Sequence, residues 1–289
     1  MSPCPVSVII PTYNRSEFLN RALESIRRQT VRCGEIIVVD DGSTDQTASV
    51  VRDFSQRYTI DVIYLRQENR GPAGARNSGI TVARYPYIAF LDSDDHWNKK
   101  KLELQFAAMN ENPDFWISHT REKWLRNGQH LNQKRIHIPR HGNIFNHCLL
   151  LCGVGMSTVM LKKELFSKVG KFDERLRCCE DYDFWLRVSC RFLFYLIDLP
   201  LTIKEGGRAD QVSYIYRVGM DKLRIQAITN LLDSGILQQD QIQAALLELE
   251  KKCTVYGNGC IKHGKKEEGQ SFFQLTEKYK MRYLSESVK

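Results

Sequence analysis

Three carboxylates stand within four residues of the sequence, directly after a run of apolar residues. Asp92, Asp94 and Asp95 follow the apolar segment 88–91. Four consecutive apolar residues predict a strand buried on both faces, because a half-exposed strand would alternate. Clustered carboxylates repel one another, and Mg²⁺ and Mn²⁺ prefer oxygen ligands. The pattern therefore indicates either a cation site at the end of a strand or a solvated acidic turn, since Asp-x-Asp is short and common.

Acidic residues recur at two further places in the chain. Asp40 and Asp41 come directly after the apolar run 36–39, and Glu180, Asp181 and Asp183 precede the apolar stretch 184–186. Acids in a first helical turn interact favourably with the helix dipole. The group at residue 180, taken alone, therefore predicts a capping cluster.

The first 110 residues alternate between strand and helix patterns. Strands are predicted at 6–10, 35–39, 62–65 and 87–91, and helices at 18–26, around 50–54, at 73–82 and at 99–109. Asn14 to Glu17 resembles a capping box for the first helix. This alternation predicts a parallel, doubly wound sheet, in which ligands bind at the carboxyl ends of the strands. Pro11, Asp41 and the Asp92 cluster fall at those ends, so one crevice can hold them.

Beyond Pro113 the pattern is weaker. Asn127-Gly128 within 115–144 favours a hairpin, and strands are predicted at 158–161 and 192–197. The short helix 163–169 and the helix after residue 183 lie between those strands. The polar, glycine-containing segment 204–211 predicts a mobile loop. After Met220 three helices are expected, at 221–232, 239–256 and 267–283.

Composition places the chain among globular proteins with anionic partners. With 289 residues and 42% hydrophobic content it can bury a sizeable core. A net charge of +8 and a pI near 9.0 favour nucleotide phosphates, a phosphorylated acceptor, an anionic membrane surface or nucleic acid. No nucleic-acid-binding signature accompanies the charge, so nucleic acid is not expected as a partner.

The cellular location and the state of the cysteines are predicted from signals that the sequence lacks. No apolar run approaches the roughly 18 residues of a membrane-spanning helix, and the first residues do not resemble a signal segment. The nine cysteines are odd in number and scattered, which predicts reduced thiols and a cytoplasmic location. A zinc site around residues 137–152 is the weaker alternative, because its His and Cys spacings fit no standard pattern.

Five segments, in this order, resemble the motif series of family 2 glycosyltransferases, nucleotide-sugar enzymes of the GT-A fold. They are Val8-Ile-Ile-Pro-Thr-Tyr-Asn14, Val38-Val-Asp-Asp-Gly-Ser-Thr-Asp45, Asn69-Arg-Gly-Pro-Ala-Gly-Ala-Arg-Asn-Ser-Gly79, Phe90-Leu-Asp-Ser-Asp-Asp95 and Glu180-Asp181 with Arg187 after five further residues. The resemblance covers roughly residues 6 to 200. It implies an α/β fold with a Rossmann-like, mainly parallel sheet flanked by helices, to which the C-terminal helices would be an extension.

The resemblance implies a nucleotide diphosphate sugar as donor. Its nucleoside, by this resemblance a uridine, would meet Pro11, Thr12, Tyr13 and Asp41, where Asp41 can accept the imide proton of uracil. The alternative for residues 11–13 is an ordinary turn after a strand. Arg76, with Asn77, would contact ribose or phosphate, and the alternative is a charge on a helix surface.

The resemblance also implies a Mn²⁺ or Mg²⁺ ion and a general base. Asp92 would face the ribose and a metal-bound water, and Asp94 would ligate the ion that bridges the diphosphate. Asp181 would remove the proton of the acceptor hydroxyl in an inverting transfer, with Glu180 orienting or binding the acceptor. Gly153, Val154 and Gly155 resemble the family's loop beneath the acceptor, or are plain turn residues.

A basic loop is expected to fold over the diphosphate. Lys204, Arg208 and Gln211 occupy the position of the family's lid, where the usual histidine is absent. A lid with cationic side chains would exclude water and clamp phosphate.

The expected protein is a metal-dependent, inverting glycosyltransferase. Its acceptor is a glycan or lipid-linked precursor of an envelope polysaccharide. Two domains are expected, a GT-A domain at 1–218, with a nucleotide-binding half (1–110) and an acceptor-binding half (111–218), and a helical extension at 219–289. The extension's lysines could contact the inner face of a membrane or simply face solvent: Lys251, Lys252, Lys262, Lys265 and Lys266. The rival functions are a sugar nucleotidyltransferase, whose lysine-bearing phosphate loop is lacking after the first strand, and a non-catalytic nucleotide-binding relative.

Overall fold

The computed structural model describes residues 3–286, with side chains for 3–283. Its strands are β1 Cys4–Thr12, β2 Cys33–Asp40, β3 Val62–Arg66, β4 Tyr87–Phe90, β5 His96–Trp97, β6 Ile117–Arg126, β7 Gln129–Leu131, β8 Met160–Lys162 and β9 Phe194–Gly206. Its α-helices are α1 Ser16–Arg27, α2 Thr47–Arg57, α3 Gly71–Val82, α4 Lys101–Glu111, α5 Phe145–Leu150, α6 Leu165–Val169, α7 Glu180–Ser189, α8 Val212–Ile215, α9 Met220–Asp233, α10 Gln239–Lys262 and α11 Lys266–Glu286. Short 3-10 helices span Arg135–His137 and Met156–Thr158.

The strands form one nine-stranded sheet in the order β3-β2-β1-β4-β8-β6-β9-β5, with β7 paired to β6. Strands β1 to β4 pair in parallel, as the alternation of strands and helices predicted. Strand β8 then runs antiparallel to both of its neighbours, and β9 runs parallel to β6. The α/β fold class is confirmed, and the sheet becomes mixed only in its second half.

The apolar runs of β1 and β2 pack on both faces of the sheet. Val8 and Ile10 belong to a cluster with α1, whereas Ile9 and Ile37 belong to a second cluster on the opposite face, which includes α3 and α7. All four side chains are fully buried. Burial on both faces fixes the register of these strands, and with it the positions of the residues that follow them.

Two local predictions were wrong. Asn14 does not cap α1: its side chain accepts the backbone N–H of Thr44, and the Oδ2 of Asp45 accepts the N–H of Ser16 instead. The other error concerns Lys204, which lies within β9 opposite Trp124, so the loop begins at Gly207. Pro200 has no backbone N–H to donate to β6. β9 nevertheless continues through it, because the register of the β6–β9 pair shifts at Arg121.

The hairpin prediction is confirmed in part. Asn127 and Gly128, both with positive φ, connect β6 to β7. Both positions suit a two-residue turn between antiparallel strands. Residues 135–137, however, form a 3-10 helix rather than a continuing strand.

The helices after Met220 pack on the sheet-bearing part of the chain. Ile225 and Ile228 of α9 share a buried cluster with Tyr182 and Trp185 of α7. Lys252, predicted to face a membrane or solvent, is instead buried and pairs with Glu248 at 2.9 Å. The other four lysines named above are exposed. The division into domains at residue 218 stays a prediction, and residues 1–2 and 287–289 of its ranges lie outside the described part.

Among the described helices, none combines the length and the apolar composition that crossing a bilayer requires. All nine cysteines are free thiols, as predicted. The described residues contain no group of three or more His, Cys, Asp or Glu side chains placed to hold a metal ion, so the zinc alternative gains no support.

Lys101 in α4 is fully buried, and it has no carboxylate partner among the residues whose side chains are described. Its ammonium donates to the amide oxygen of Gln105 and lies 4.1 Å from the ring centre of Trp97. Burial lowers the pKa of Lys101 well below its ordinary value. As pH rises above that lowered pKa, the folded protein loses a proton that the unfolded chain keeps until about pH 10.4. The free energy of unfolding should therefore gain up to about 1.4 kcal/mol per pH unit from this group.

Comparison of the wild type with Lys101→Met isolates this contribution. We expect the variant's stability relative to the wild type to decline as pH rises from 6 to 10, measured by urea unfolding at each pH. Lys100→Met, at the exposed neighbouring position, is the matched control and should show no such trend. A constant difference for Lys101→Met across this range would contradict a lowered pKa.

Candidate donor and acceptor site

The ends of β1 and β2 form the predicted nucleoside side of the site. Pro11 and Thr12 are buried, and the Oγ1 of Thr12 is buried without a hydrogen-bond partner among the described residues. Tyr13 is exposed, at 48%. An open aromatic ring beside an unpaired hydroxyl is compatible with contact to a base, and that role stays a prediction.

Asp41 has a structural role that the sequence did not indicate. Its Oδ1 accepts hydrogen bonds from the Gln67 amide (2.7 Å) and the backbone N–H of Arg70 (2.9 Å), and its Oδ2 accepts from the N–H of Gly71 (2.7 Å). These contacts fix the start of α3. The carboxylate is 3% exposed, so an imide contact would have to use its remaining lone pairs.

Arg76 connects the two acidic segments of the site. Its guanidinium contacts Asp92 at 2.8 Å and Glu180 at 2.5 Å. Arg76 is buried, and both carboxylates raise its pKa against the opposing effect of burial. Burial raises the pKa of the Glu180 carboxyl, and Arg76 opposes that rise.

The terminal hydrogen-bond donors of Arg76 and Asn77, two residues of α3, contact acceptors within the protein. Asn77 donates to the backbone oxygen of Phe172 and to Glu174, and both terminal nitrogens of Arg76 face carboxylates. Phosphate contact by Arg76 stays a prediction. In the structure, the Arg76 guanidinium orients the carboxylates of Asp92 and Glu180.

Asp94 lies beneath the loop that follows β9. Its Oδ2 accepts hydrogen bonds from Arg208, from Arg15 at 3.4 Å and from Gln211 at 3.3 Å. Asp210 pairs with Arg15 at 2.7 Å, which fastens the same loop to α1. The predicted lid is therefore folded over the second acid of the Asp-x-Asp.

The two aspartates fit part of a divalent cation's ligand set. The described contacts of Asp92 use Oδ1 and those of Asp94 use Oδ2, which leaves the second oxygen of each available. Their side chains are 30% and 17% exposed, so solvent and ligand can reach both. Two carboxylate oxygens suit Mg²⁺ or Mn²⁺ when phosphate oxygens and water complete the shell.

Asp95 and Lys204 lie close to the Asp-x-Asp segment and affect its position and its charge. Asp95 is 2% exposed and accepts a hydrogen bond from the Ser157 hydroxyl at 2.7 Å, while Ser157 accepts the N–H of Asp92 at 3.0 Å. Asp95 thus positions the Asp-x-Asp turn rather than capping a helix. The facing Glu122 carboxylate, followed by Asp95 and Asp92, raises the pKa of Lys204, which keeps its ammonium charged at neutral pH.

Asp181 lies in the first turn of α7, a helix that begins at Glu180, directly after Cys179 with its positive φ of 63°. Its Oδ1 accepts the N–H of Tyr182 at 2.7 Å, and the Cys152 thiol donates to its Oδ2 at 3.2 Å. Burial, followed by the Asp181 charge, raises the pKa of Cys152 well above its ordinary value. The thiol therefore keeps its proton and continues to donate to Asp181.

The 153–155 loop lies close to two side chains. A Cβ at Gly155 would lie 2.0 Å from the Oε1 of Glu122, and one at Gly153 would lie 2.4 Å from the His147 ring. Neither glycine has a positive φ. A larger residue at either position would therefore require Glu122 or His147 to move, and Glu122 also lines a cavity.

That cavity has a volume of about 630 Å³, and three of the four residues predicted for the acceptor side line it, whereas Glu180 does not. Its lining includes Gly153, Val154, Gly155, Asp181, Lys204 and Arg208. The donor-side residues 11–13, Asp41, Asp92 and Asp94 lie outside its lining. Asp94 is connected to the cavity through Arg208, which lines it, and Asp92 is connected through Arg76 to Glu180, the residue before Asp181. The structure thus brings the two predicted halves of the site together.

The sequence interpretation missed four side chains of this region: Arg15, Glu122, Trp124 and Cys152. Glu122 and Trp124 are two residues apart in β6, and a period of two places both on one face of a strand. This period could have indicated that Glu122 and Trp124 lie together. No sequence pattern marked Arg15 or Cys152, because their contacts depend on loops distant in sequence.

Comparison with known proteins gives the same family as the motifs. The family described as Glycosyl transferase family 2 matches residues 7–170. An uncharacterized glycosyltransferase of Rickettsia felis is 38% identical over 203 residues, which are 68% of this chain and 32% of that protein. The chain spans about a third of the length of the first three Rickettsia relatives.

Two relatives of more similar length have more specific names. The putative teichuronic acid biosynthesis glycosyltransferase TuaG of Bacillus subtilis is 30% identical over 224 residues, covering 73% of this chain and 87% of TuaG. The amylovoran biosynthesis glycosyltransferase AmsB of Erwinia amylovora is 32% identical over 211 residues, covering 70% and 69%.

Solved structures show the same fold at lower identity. Residues 1–349 of S. aureus TarS, in complex with UDP-GlcNAc, superpose with a TM-score of 0.72 at 22% identity, covering 94% of this chain and 79% of that chain. The mannosyltransferase PcManGT of Pyrobaculum calidifontis, in complex with GDP-Man and Mn²⁺, gives 0.66 at 15% identity, covering 100% and 82%. These likenesses confirm the GT-A fold. Together with the family match, they establish that the chain belongs to glycosyl transferase family 2.

Proposed function

We propose that this protein transfers a sugar from a nucleotide diphosphate sugar, with UDP as the nucleotide, to a hydroxyl group of a glycan or lipid-linked acceptor. The pathway we propose is the synthesis of an envelope polysaccharide, as the names of TuaG and AmsB suggest for those relatives. One observation carries the proposal: Arg76 contacts both Asp92 and Glu180, the residue before Asp181, which supports assigning the Asp-x-Asp and Asp181 to one site.

The chemistry we assign to Asp181 is general-base catalysis. Its carboxylate accepts the proton of the acceptor hydroxyl while that oxygen bonds to the anomeric carbon. The bond from that carbon to the diphosphate oxygen breaks on the opposite face, so the configuration inverts. Glu180, held by Arg76, keeps the first turn of α7 facing the donor side.

Negative charge develops on the departing nucleoside diphosphate. A Mn²⁺ or Mg²⁺ ion would be held by Asp94 and Asp92, and it would supply Lewis-acid stabilisation of that charge. Lys204 adds a protonated ammonium, and Arg208 adds a guanidinium on the closing loop. Exclusion of water by that loop strengthens these electrostatic interactions.

Donor hydrolysis tests the nucleotide and the cation. We expect purified protein with Mn²⁺ to release UDP from at least one UDP-sugar in a panel of UDP-, GDP- and ADP-linked sugars, because we assign to Asp41 a hydrogen bond from the imide of uracil. Chelation should abolish release, and added Mn²⁺ or Mg²⁺ should restore it. Asp94→Asn should weaken the response to Mn²⁺, whereas Asp53→Asn, on the exposed face of α2, should leave it unchanged.

The outcomes separate the parts of the proposal. Preference for a GDP-linked sugar would reject UDP, and release that resists chelation would reject the cation. Binding of every donor without any turnover, with acceptor extracts added, would favour the non-catalytic relative.

A further inference from the structure

The cavity beside Asp181 is lined by an excess of positive charge. Its five cationic side chains and two carboxylates are Arg126, Lys204, Arg208, Arg217 and Arg224, with Glu122 and Asp181. A low-dielectric cavity lined mainly by charges of one sign raises the local concentration of ligands that carry the opposite charge. The net positive charge of this lining therefore favours an anionic occupant.

Three of the cations have carboxylate neighbours within the protein. These pairs are Lys204 with Glu122, Arg208 with Asp94, and Arg224 with Asp221. Arg126 and Arg217 differ from them. Within the part of the chain whose side chains are described, neither forms an ion pair, and both are exposed, although Arg217 donates to the backbone oxygen of Tyr214 at 2.6 Å.

The two unpaired arginines stand beside aromatic rings. Arg126 and Trp124 are two residues apart on β6, and both line the cavity. Arg217 follows α8 and lies over the ring of Tyr214, 3.8 Å from its centre. The ring of His137 lies 5.1 Å from that of Trp124. The apolar faces of sugar rings pack on aromatic rings, so this wall suits a glycan.

Arginine at such a position selects for oxyanions. A guanidinium presents paired N–H donors that match a carboxylate or a phosphate, and charge-assisted bonds of this kind are the strong ones. A neutral glycan would leave Arg126 and Arg217 without a counterion. A glycan that carries carboxylate or phosphate groups would supply that counterion.

We propose that the acceptor is an acidic glycan, whose carboxylate or phosphate groups contact Arg126 and Arg217 while its sugar rings pack against Trp124 and Tyr214. This inference rests on the proposed function, because it identifies the class of acceptor that reaches Asp181. It adds a specificity: the acidic glycan binds, and the same glycan without its charge does not.

Binding without any donor tests this directly, by calorimetry on the full chain. The probes are a tetrasaccharide of alternating glucuronate and N-acetylglucosamine, its carboxyl-reduced counterpart, and an oligomer of glycerol phosphate. We expect the wild type to bind the glucuronate tetrasaccharide about tenfold more tightly than the reduced form, as one charge-assisted contact would give. The phosphate oligomer shows which of the two anions binds better.

Variants assign the effect to the two arginines. Arg126→Gln with Arg217→Gln should remove the preference, so that this variant binds the acidic and the reduced tetrasaccharide with equal affinity. Arg57→Gln, an exposed arginine of α2 outside the cavity, is the matched control and should retain the preference. Circular dichroism checks that each variant is folded.

Equal affinity of the wild type for the acidic and reduced forms would overturn the proposal. So would a preference that survives the double substitution, or no binding of any probe at millimolar concentration. Because no donor is present, these results do not depend on turnover. A chain that prefers acidic glycans but releases UDP from no donor would contradict the proposed transfer and not this binding specificity.

Discussion

Replacing Asp181 by asparagine is expected to lower the rate of sugar transfer by about 10²- to 10⁴-fold, the usual contribution of a general base. The amide has the size of the carboxylate and can still accept the N–H of Tyr182, but it cannot take the acceptor's proton. Donor affinity should stay near the wild-type value. Initial rates at saturating donor, with titration of the donor into the variant, measure the two quantities separately.

Asp183 provides the control for this prediction. It lies two residues further along α7 and pairs with Arg187 at 2.7 Å, outside the lining of the cavity. Asp183→Asn should leave the transfer rate per folded molecule within a few-fold of the wild type. Near-normal transfer by Asp181→Asn, with donor still bound, would show that the base assignment is wrong.

Replacing Arg76 by methionine should lower the free energy of unfolding by about 3–5 kcal/mol. The substitution leaves Glu180 buried without its counterion and also removes the partner of Asp92, and an unpaired buried charge is costly. Denaturant unfolding at neutral pH measures the loss. Addition of Glu180→Gln to Arg76→Met should recover part of it, because it removes the buried charge.

An exposed ion pair gives the comparison for Arg76. Arg175 pairs with Asp173 at 2.8 Å, but its side chain is 79% exposed. Arg175→Met should therefore leave the free energy of unfolding close to the wild-type value. If Arg76→Met cost as little, the guanidinium could not be what holds the Asp-x-Asp and α7 together.

Much of the nucleotide-binding half could be predicted because its information is local. Continuous apolar runs marked β1, β2 and β4, and each was followed by residues typical of a strand end. The order of the motifs then indicated the family and its fold, and the family implied roles for Asp92, Asp94 and Asp181. None of this required knowledge of which distant side chains meet.

The parts that sequence reasoning missed depend on such meetings. Asn14 and Asp45 exchange the capping role expected at α1, because the turn after β2 lies against that helix. Lys204 joined β9 because β6 offers a partner along its whole length, which local polarity did not reveal. The contacts of Arg76 and Cys152 span 104 and 29 residues of sequence, respectively. No local pattern encodes contacts at those separations.

The contact between Arg208 and Asp94 gives that carboxylate a positive partner supplied by the chain itself. Among the described residues, Arg208 and its neighbours contact only the Oδ2 of the Asp94 carboxylate, so its Oδ1 stays open to the cation that we assign to it. A donor would therefore enter a site whose loop is already held in place by the chain's own charges, and the loop would not have to open to admit the cation.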